Sequence, residues 1–241
     1  MGKFDESYLI NQLNLKYPLI GLYDAPDKAA FVPLVEPKAG KWACIFQFFH
    51  AWEKGQTLIL TSQNHGCGGA GYWLFGKESK TRPEFITFLC DQEGLKANHQ
   101  LMDEWLDFHH PYQPEYSQLF IGPLKEGQEA YCKSITFYVN PDQLSALMIG
   151  AQYFLPPGRT IVSAPFGSGC MELLPLFDNP EIPLAIVGAT DIAMRKFIPE
   201  QHILAFTVTL PMFELLCSLD EKSFLNKPFL SDLKKSRGGH L

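Results

Sequence analysis

The sequence predicts a mixed α/β fold, built as two similar strand–helix–strand–turn halves packed as one domain. Three observations predict it. Short apolar strands alternate with helical stretches along most of the chain, the pattern of strands joined by crossover helices. Two of those strands run into matching Gly–Cys turns, at Gly66-Cys67 and Gly169-Cys170. Around them, Gly55-x-Thr57-Leu58-Ile59 aligns with Gly158-x-Thr160-Ile161-Val162 at the same offset of 103 residues that separates Cys67 from Cys170, without a gap. Upstream, Tyr23-Asp24-Ala25-Pro26 pairs with Tyr138-Val139-Asn140-Pro141, each closing an apolar strand. The halves span about 17–110 and 132–219 of the 241 residues, and 233–241 reads as a flexible tail. Each half is a βαβ-like block, so some strands should pair in parallel through right-handed crossovers.

Taken in order, residues 4–14 open the chain as an amphipathic helix, with Tyr8 and Leu9 followed by Leu13. Pro18 introduces a strand at 19–23, closed by Asp24-Ala25-Pro26. Pro33, Pro37 and Gly40 make 27–40 a turn-rich stretch. Residues 42–53 read as a helix with an apolar face, ended by Gly55. The β-branched strand at 57–61 enters Gly66-Cys67-Gly68-Gly69-Ala70-Gly71 and a short helix near 72–75. The 84–89 run fits either strand or helix, and 101–108 is helical up to His109-His110-Pro111. A strand at 134–139 meets the helix start Asn140-Pro141-Asp142, and the helix of 143–154 stops at Pro156-Pro157-Gly158. Strands follow at 160–164, 184–187 and 203–210, and Pro211 starts a helix to about 219.

Hydrophobic residues make up 46% and charged residues 19%, which places the chain among globular proteins and away from disorder. The 19 phenylalanines point to a bulky aromatic core or an apolar pocket. A net charge of −6 argues against nucleic acid as the main partner, because phosphate binding needs a basic patch. The basic cluster Lys234, Lys235 and Arg237 reads as a solvated end. No apolar run approaches the roughly 20 residues of a membrane span, and the charged 1–8 segment does not fit a signal peptide. The expected setting is the cytoplasm, with no membrane partner. Six cysteines are scattered without a C-x-x-C pair and are expected as thiols. Cys90 and Cys217 lie in apolar runs and read as core.

Cys67 and Cys170 are the candidate catalytic residues. Each follows a strand and precedes a short helix, where unpaired backbone N–H groups and the helix dipole favour thiolate over thiol. Ligands of open α/β sheets bind at the carboxyl ends of strands, so two related turns could face one shared site. The alternative reading makes each Gly–Cys a tight turn with a small apolar plug. Cys44, on the preceding helix, reads as core packing or as a further metal ligand, and His65 as a surface residue, a ligand or a proton donor beside Cys67. Asn64, Gly66, Gly68, Gly69 and Gly169 would form the cofactor side of the site. Asp191 and Arg195, four residues apart, form either an exposed helix pair or part of the cleft, where Arg195 would hold a carboxylate or phosphate. Glu172 follows Cys170 by two residues and reads as a complement to the helix dipole. Gly66-x-Gly68-x-x-Gly71, with Asp91 twenty residues on, satisfies the dinucleotide pattern. Gln63-Asn64-His65 intervene between strand and first glycine, however, and the second turn lacks the third glycine.

The order of these features resembles a known family. A Pro-led strand comes first, then the Cys44 helix and a strand into Cys67-Gly68-Gly69. Asn140-Pro141-Asp142-Gln143-Leu144 starts a helix, and a second Gly–Cys and the late Arg195 before Pro199-Glu200 follow. Together they resemble the domain of unknown function 169 family over roughly residues 17–216. The resemblance implies a shared fold, highlights Cys44, Cys67, Cys170 and Arg195, and supplies no reaction. Ala189 stands where a more polar residue is expected. The functional expectation is a metal, an iron–sulfur cluster or a redox cofactor held by Cys67, Cys170, Cys44 and His65. One alternative is a cysteine-dependent enzyme on a small anionic substrate anchored by Arg195. The other is a non-catalytic module binding a small ligand in a Phe-rich pocket.

Overall fold

The computed structural model describes residues 5–156, 162–164, 167, 169–174, 181–239 and 241. Helix α1 (Ser7–Leu13) leads into strand β1 (Ile20–Asp24) and the two-residue strand β2 (Leu34–Val35). A 3-10 turn at Ile45–Phe48 runs into α2 (Phe49–Glu53), followed by β3 (Thr57–Thr61), α3 (Gly68–Phe75) and α4 (Arg82–Thr87). The last turn of α4 widens into a π turn at Phe88–Gln92. Then come α5 (His99–Phe108), β4 (Gln118–Pro123), β5 (Cys132–Val139), α6 (Pro141–Tyr153) and β6 (Val162–Ser163). A 3-10 turn at Met171–Leu173 precedes β7 (Ala185–Gly188), α7 (Ile192–Arg195), β8 (Leu204–Val208), α8 (Leu210–Cys217) and α9 (Pro228–Ser236).

Local chemistry accounts for the boundaries. The Asn140 side chain accepts the Gln143 N–H at 3.0 Å, and Gln143 accepts the Asn140 N–H at 3.0 Å. With Pro141 in the first turn, this reciprocal cap fixes the start of α6. Asp24 is fully buried at the end of β1, where its carboxylate accepts the Tyr112 hydroxyl at 2.7 Å and the Glu115 and Tyr116 amides at 2.7 and 3.0 Å. The expected turn residue therefore anchors the loop that leads into β4.

The eight strands form one mixed sheet in the order β2-β3-β4-β1-β5-β8-β7-β6. β2 pairs parallel with β3 and β6 parallel with β7, and all other pairings are antiparallel. The order reads the same from both edges, about the central β1–β5 pair. This corrects the register of the sequence comparison. The 103-residue offset sets β3 against β6, an interior strand against an edge strand, whereas the strand order matches β1 with β5, β2 with β6, β3 with β7 and β4 with β8. Residues 157–161, on which part of that comparison rested, lie outside the described residues.

Both faces of the sheet are covered. One carries Tyr23, Phe120, Phe137, Phe206 and Val208, packed under Leu9 and Leu13 of α1, Leu144 and Leu147 of α6, and Met212 and Phe213 of α8. The other carries Ile20, Leu22, Leu58, Leu60 and Ala205, packed under Phe46, Phe49, Trp52, Trp73, Met102 and Met171. Burial on both sides explains why β1 reads as a continuous apolar run rather than an alternating one. Within the segment expected as a tail, 233–241, α9 continues to Ser236, Arg237 pairs with Asp142 at 2.7 Å, and the buried Leu241 carbonyl accepts from Gln143 at 3.2 Å. No helix among the described residues is long and apolar enough to cross a membrane.

Candidate functional site

β3 and β7 run in opposite directions, so their carboxyl ends leave the sheet at opposite ends. The turns that follow them fold back over the same face and meet above it. There they enclose a cleft of about 420 Å³, within the range of small-molecule sites. Its walls are Trp42, Phe46, Trp73, Phe85, Phe88 and Trp105, with Met102 and Met194 between them. Cys44, Cys67, Gly68, Gly69, Gly169, Cys170 and Asp191 line it, together with Lys80 and Glu93. The shared site is therefore over a sheet face, not beyond the strand ends as open-sheet topology implies.

Cys67 is the N-cap of α3, and its sulfur accepts the Ala70 N–H at 3.4 Å. The Cys170 thiol lines the same cleft. Its donor character, helped by the Ala70 and Gly69 amides and opposed by burial, pushes the Cys67 thiol down to about 6. The same interaction, together with burial, holds Cys170 well above the ordinary thiol range. Cys67 is half-buried and Cys170 buried. The two turns are thus not equivalent. α3 is a two-turn helix, whereas Cys170 precedes only a single 3-10 turn and makes no cap bond of its own. That turn is clamped on two sides. The Ser134 hydroxyl on β5 donates to the Leu173 carbonyl, and the buried Glu172 carboxylate accepts the Ala189 amide at 2.7 Å and the Thr190 hydroxyl at 2.9 Å. Ala189 sits at φ 59°, and Glu172 pins this left-handed turn. Burial, outweighing these hydrogen bonds, pushes the Glu172 carboxyl up to about 7.

The other expected residues divide. Cys44 lines the cleft but is a buried, neutral thiol, pushed up to about 12 by desolvation, with Sγ against Met194 Sδ. His65 turns away: its Nδ1 meets the Cys67 carbonyl at 2.7 Å, and its ring lies over Gly71, outside the cleft lining. Asn64 holds its loop by donating to the Pro37 carbonyl at 2.8 Å. Gly66 stands behind the cleft at φ 81°, its carbonyl accepting the Ala43 N–H at 2.9 Å, which ties the Cys67 turn to the Cys44 turn. Gly169 has no room for a Cβ, which would run into the Phe46 ring. Asp191 lines the cleft and caps α7 through the Ala193 N–H at 2.9 Å, with burial raising its carboxyl. Arg195 does not face the cleft. Its guanidinium donates to the Ala189, Gln201 and Ile203 carbonyls, joining the turn after β7 to the start of β8. The anion anchor expected of Arg195 does not face the cleft, where the Asp191 charge opposes the Cys67 thiolate and raises the Glu93 carboxyl.

Among the described residues no group of three or more His, Cys, Asp or Glu side chains stands close enough to hold a metal ion. The dinucleotide pattern is equally unsupported by the geometry. Cys67 sulfur takes the Ala70 amide at the helix start, His65 covers Gly71, and Asp91 pairs with His99 at 2.8 Å. Residues missed in the sequence are the aromatic walls and Glu93. Trp73 and Trp105 come together at 5.5 Å from helices far apart in the chain, so only their bulk, not their partnership, was visible.

The family model described as DUF169, uncharacterised ArCR, matches residues 8–218. No curated protein and no solved structure matches the chain.

Proposed function

The chain belongs to the DUF169 family, and from that premise we propose that it is a thiol-dependent enzyme in which Cys67 attacks a small organic molecule held in the aromatic cleft. The observation that carries this reading is a Cys67 sulfur seated at a helix start, where it accepts the Ala70 amide, with the Cys170 thiol in the same cleft lining. A thiolate, not a thiol, is the nucleophile, and a donor thiol plus backbone amides favour that form. The lining selects an apolar or aromatic ligand. Asp191 and Glu93 outnumber Lys80 in the lining and favour neutral or cationic ligands over anions, in place of the anionic substrate first expected.

A metal or iron–sulfur centre is a weaker reading, because such centres need three or four ligands and the neutral Cys44 and averted His65 do not join the pair. The six free thiols fit a reducing compartment such as the cytoplasm. The palindromic strand order supports reading the halves as copies of one unit.

The test is iodoacetamide alkylation across pH, resolved by cysteine with mass spectrometry. Cys67 is expected to titrate near pH 6 while the other cysteines stay slow. In Cys170→Ala its inflection should rise toward the ordinary value of about 8.5. At about pH 5.5 the rate should then fall on the order of tenfold, because the lost thiolate outweighs the gain in intrinsic nucleophilicity. An ordinary inflection at Cys67 in the wild-type protein would overturn the reading.

A further inference from the structure

The geometry around the two sulfurs carries a reaction class. Building on the nucleophile reading above, we propose that Cys67 and Cys170 are a redox dithiol that reduces a small organic disulfide and closes to a Cys67–Cys170 disulfide. Four observations lead there.

First, both sulfurs line one cleft, Cys67 at the start of α3 and Cys170 at the head of the facing 3-10 turn, and each thiol is the strongest influence on the other's proton. Second, access is unequal in the way a two-step exchange requires. Cys67 is half-buried at the cleft wall and meets the incoming molecule more readily, while Cys170 lines the same cleft but is buried. Third, the leaving group fits the site. Attack on a hydroperoxide expels a strongly basic alkoxide and calls for a cation or acid beside it. Arg195 is committed to three carbonyls, and although Lys80 shares the lining, the charged side chain that acts on Cys67 is the carboxylate of Asp191. Attack on a disulfide expels a thiolate, which departs without such help. Fourth, the cleft holds about 420 Å³ between aromatic walls, enough for a small disulfide bearing aromatic or aliphatic groups.

The steps balance. The Cys67 thiolate attacks one sulfur of R–S–S–R, forming Cys67–S–S–R and releasing RS⁻. Cys67 then no longer carries the charge that held the Cys170 proton in place. That proton passes to the released RS⁻, giving RSH. The Cys170 thiolate attacks the Cys67 sulfur, forms the internal disulfide and expels the second RS⁻. Two electrons pass from the cysteines to the organic disulfide.

The test mixes fully reduced protein, without oxygen, with substoichiometric 2,2′-dithiodipyridine. Thione release is followed by absorbance, and cross-linked peptides are mapped by mass spectrometry. The wild-type protein should release both thiones per reagent and yield a Cys67–Cys170 linked peptide. Cys170→Ala, and Cys170→Ser as a second variant with a hydroxyl donor, should stop after the first thione with a pyridyl group left on Cys67. A pyridyl group stranded on Cys67 in the wild-type protein would overturn the dithiol while leaving the nucleophile reading intact. No reaction at Cys67 at all would remove both. Cystamine should outpace the dianion of dithiodiglycolic acid about tenfold at low ionic strength, and Asp191→Asn should narrow that gap. The opposite charge preference would overturn the assignment of disulfide type.

Discussion

Three thiols share the cleft, and each holds its proton differently for a nameable reason. Burial chiefly governs Cys44, a donor thiol and two amides govern Cys67 against burial, and the neighbouring Cys67 with burial governs Cys170. Glu172 shows the same logic in a carboxyl. It is raised from its ordinary 4.5 to about 7, chiefly by desolvation, so the folded chain binds a proton there that the unfolded chain has released. Stability contributed by that proton is fully present below about pH 4.5 and is lost as pH rises through about 7. Glu172→Gln keeps acceptor and shape but cannot ionise. Relative to this variant, the wild-type protein should lose roughly 3 kcal/mol between pH 4.5 and 8, measured by urea unfolding at each pH. A constant difference would mean that Glu172 titrates normally. At this scale the sequence was informative where a residue's role is local. A cysteine between glycines after a β-branched strand marks a helix start, and Cys67 is one. Arg195 and His65 misled, because whether a side chain turns to a cleft or to nearby carbonyls depends on chain segments that their own neighbours do not encode.

Elements were legible where pattern and punctuation agree. Thr57–Thr61 and the cap of α6 follow from β-branching and from Asn140-Pro141. β4 carries no such signal, its short apolar run Leu119-Phe120-Ile121 ending in Gly122 and Pro123. In the structure Gly122 lies against Thr57 of β3, where a Cβ would stand 2.7 Å from its Oγ1, so the glycine marks a close approach of strands. β2 is only two residues between prolines, and α9 begins at Pro228 in a segment dominated by charge. The turn that seats Cys67 gives an element-scale prediction. Gly66 combines φ 81° with an Ala43 carbonyl 2.5 Å from any added Cβ. Gly66→Ala should destabilise by about 2–3 kcal/mol. It should also raise the Cys67 alkylation inflection, since the turn must shift away from Cys170. A variant with wild-type stability and inflection would show that the turn relaxes freely.

At the scale of the whole molecule, the mixed α/β sheet was readable, whereas the palindromic order and the cover on both faces were not. Local identities aligned β3 with β6, yet strand neighbours, which only folding reveals, match β3 with β7. The paired sulfurs follow strands on opposite sides of the central β1–β5 pair, Cys67 after β3 and Cys170 after β6, and line one cleft. That placement has a consequence for the denatured chain. A bond between Cys67 and Cys170 would tie a loop of about a hundred residues into the unfolded ensemble, removing entropy equivalent to about 4–5 kcal/mol at room temperature in the chain-closure model. The oxidised protein should therefore melt at a higher temperature than the reduced one in paired calorimetric scans, and equal midpoints would count against the linkage. Thiol chemistry in the cleft would in this way write the redox state of the ligand pool into the folding equilibrium of the entire chain.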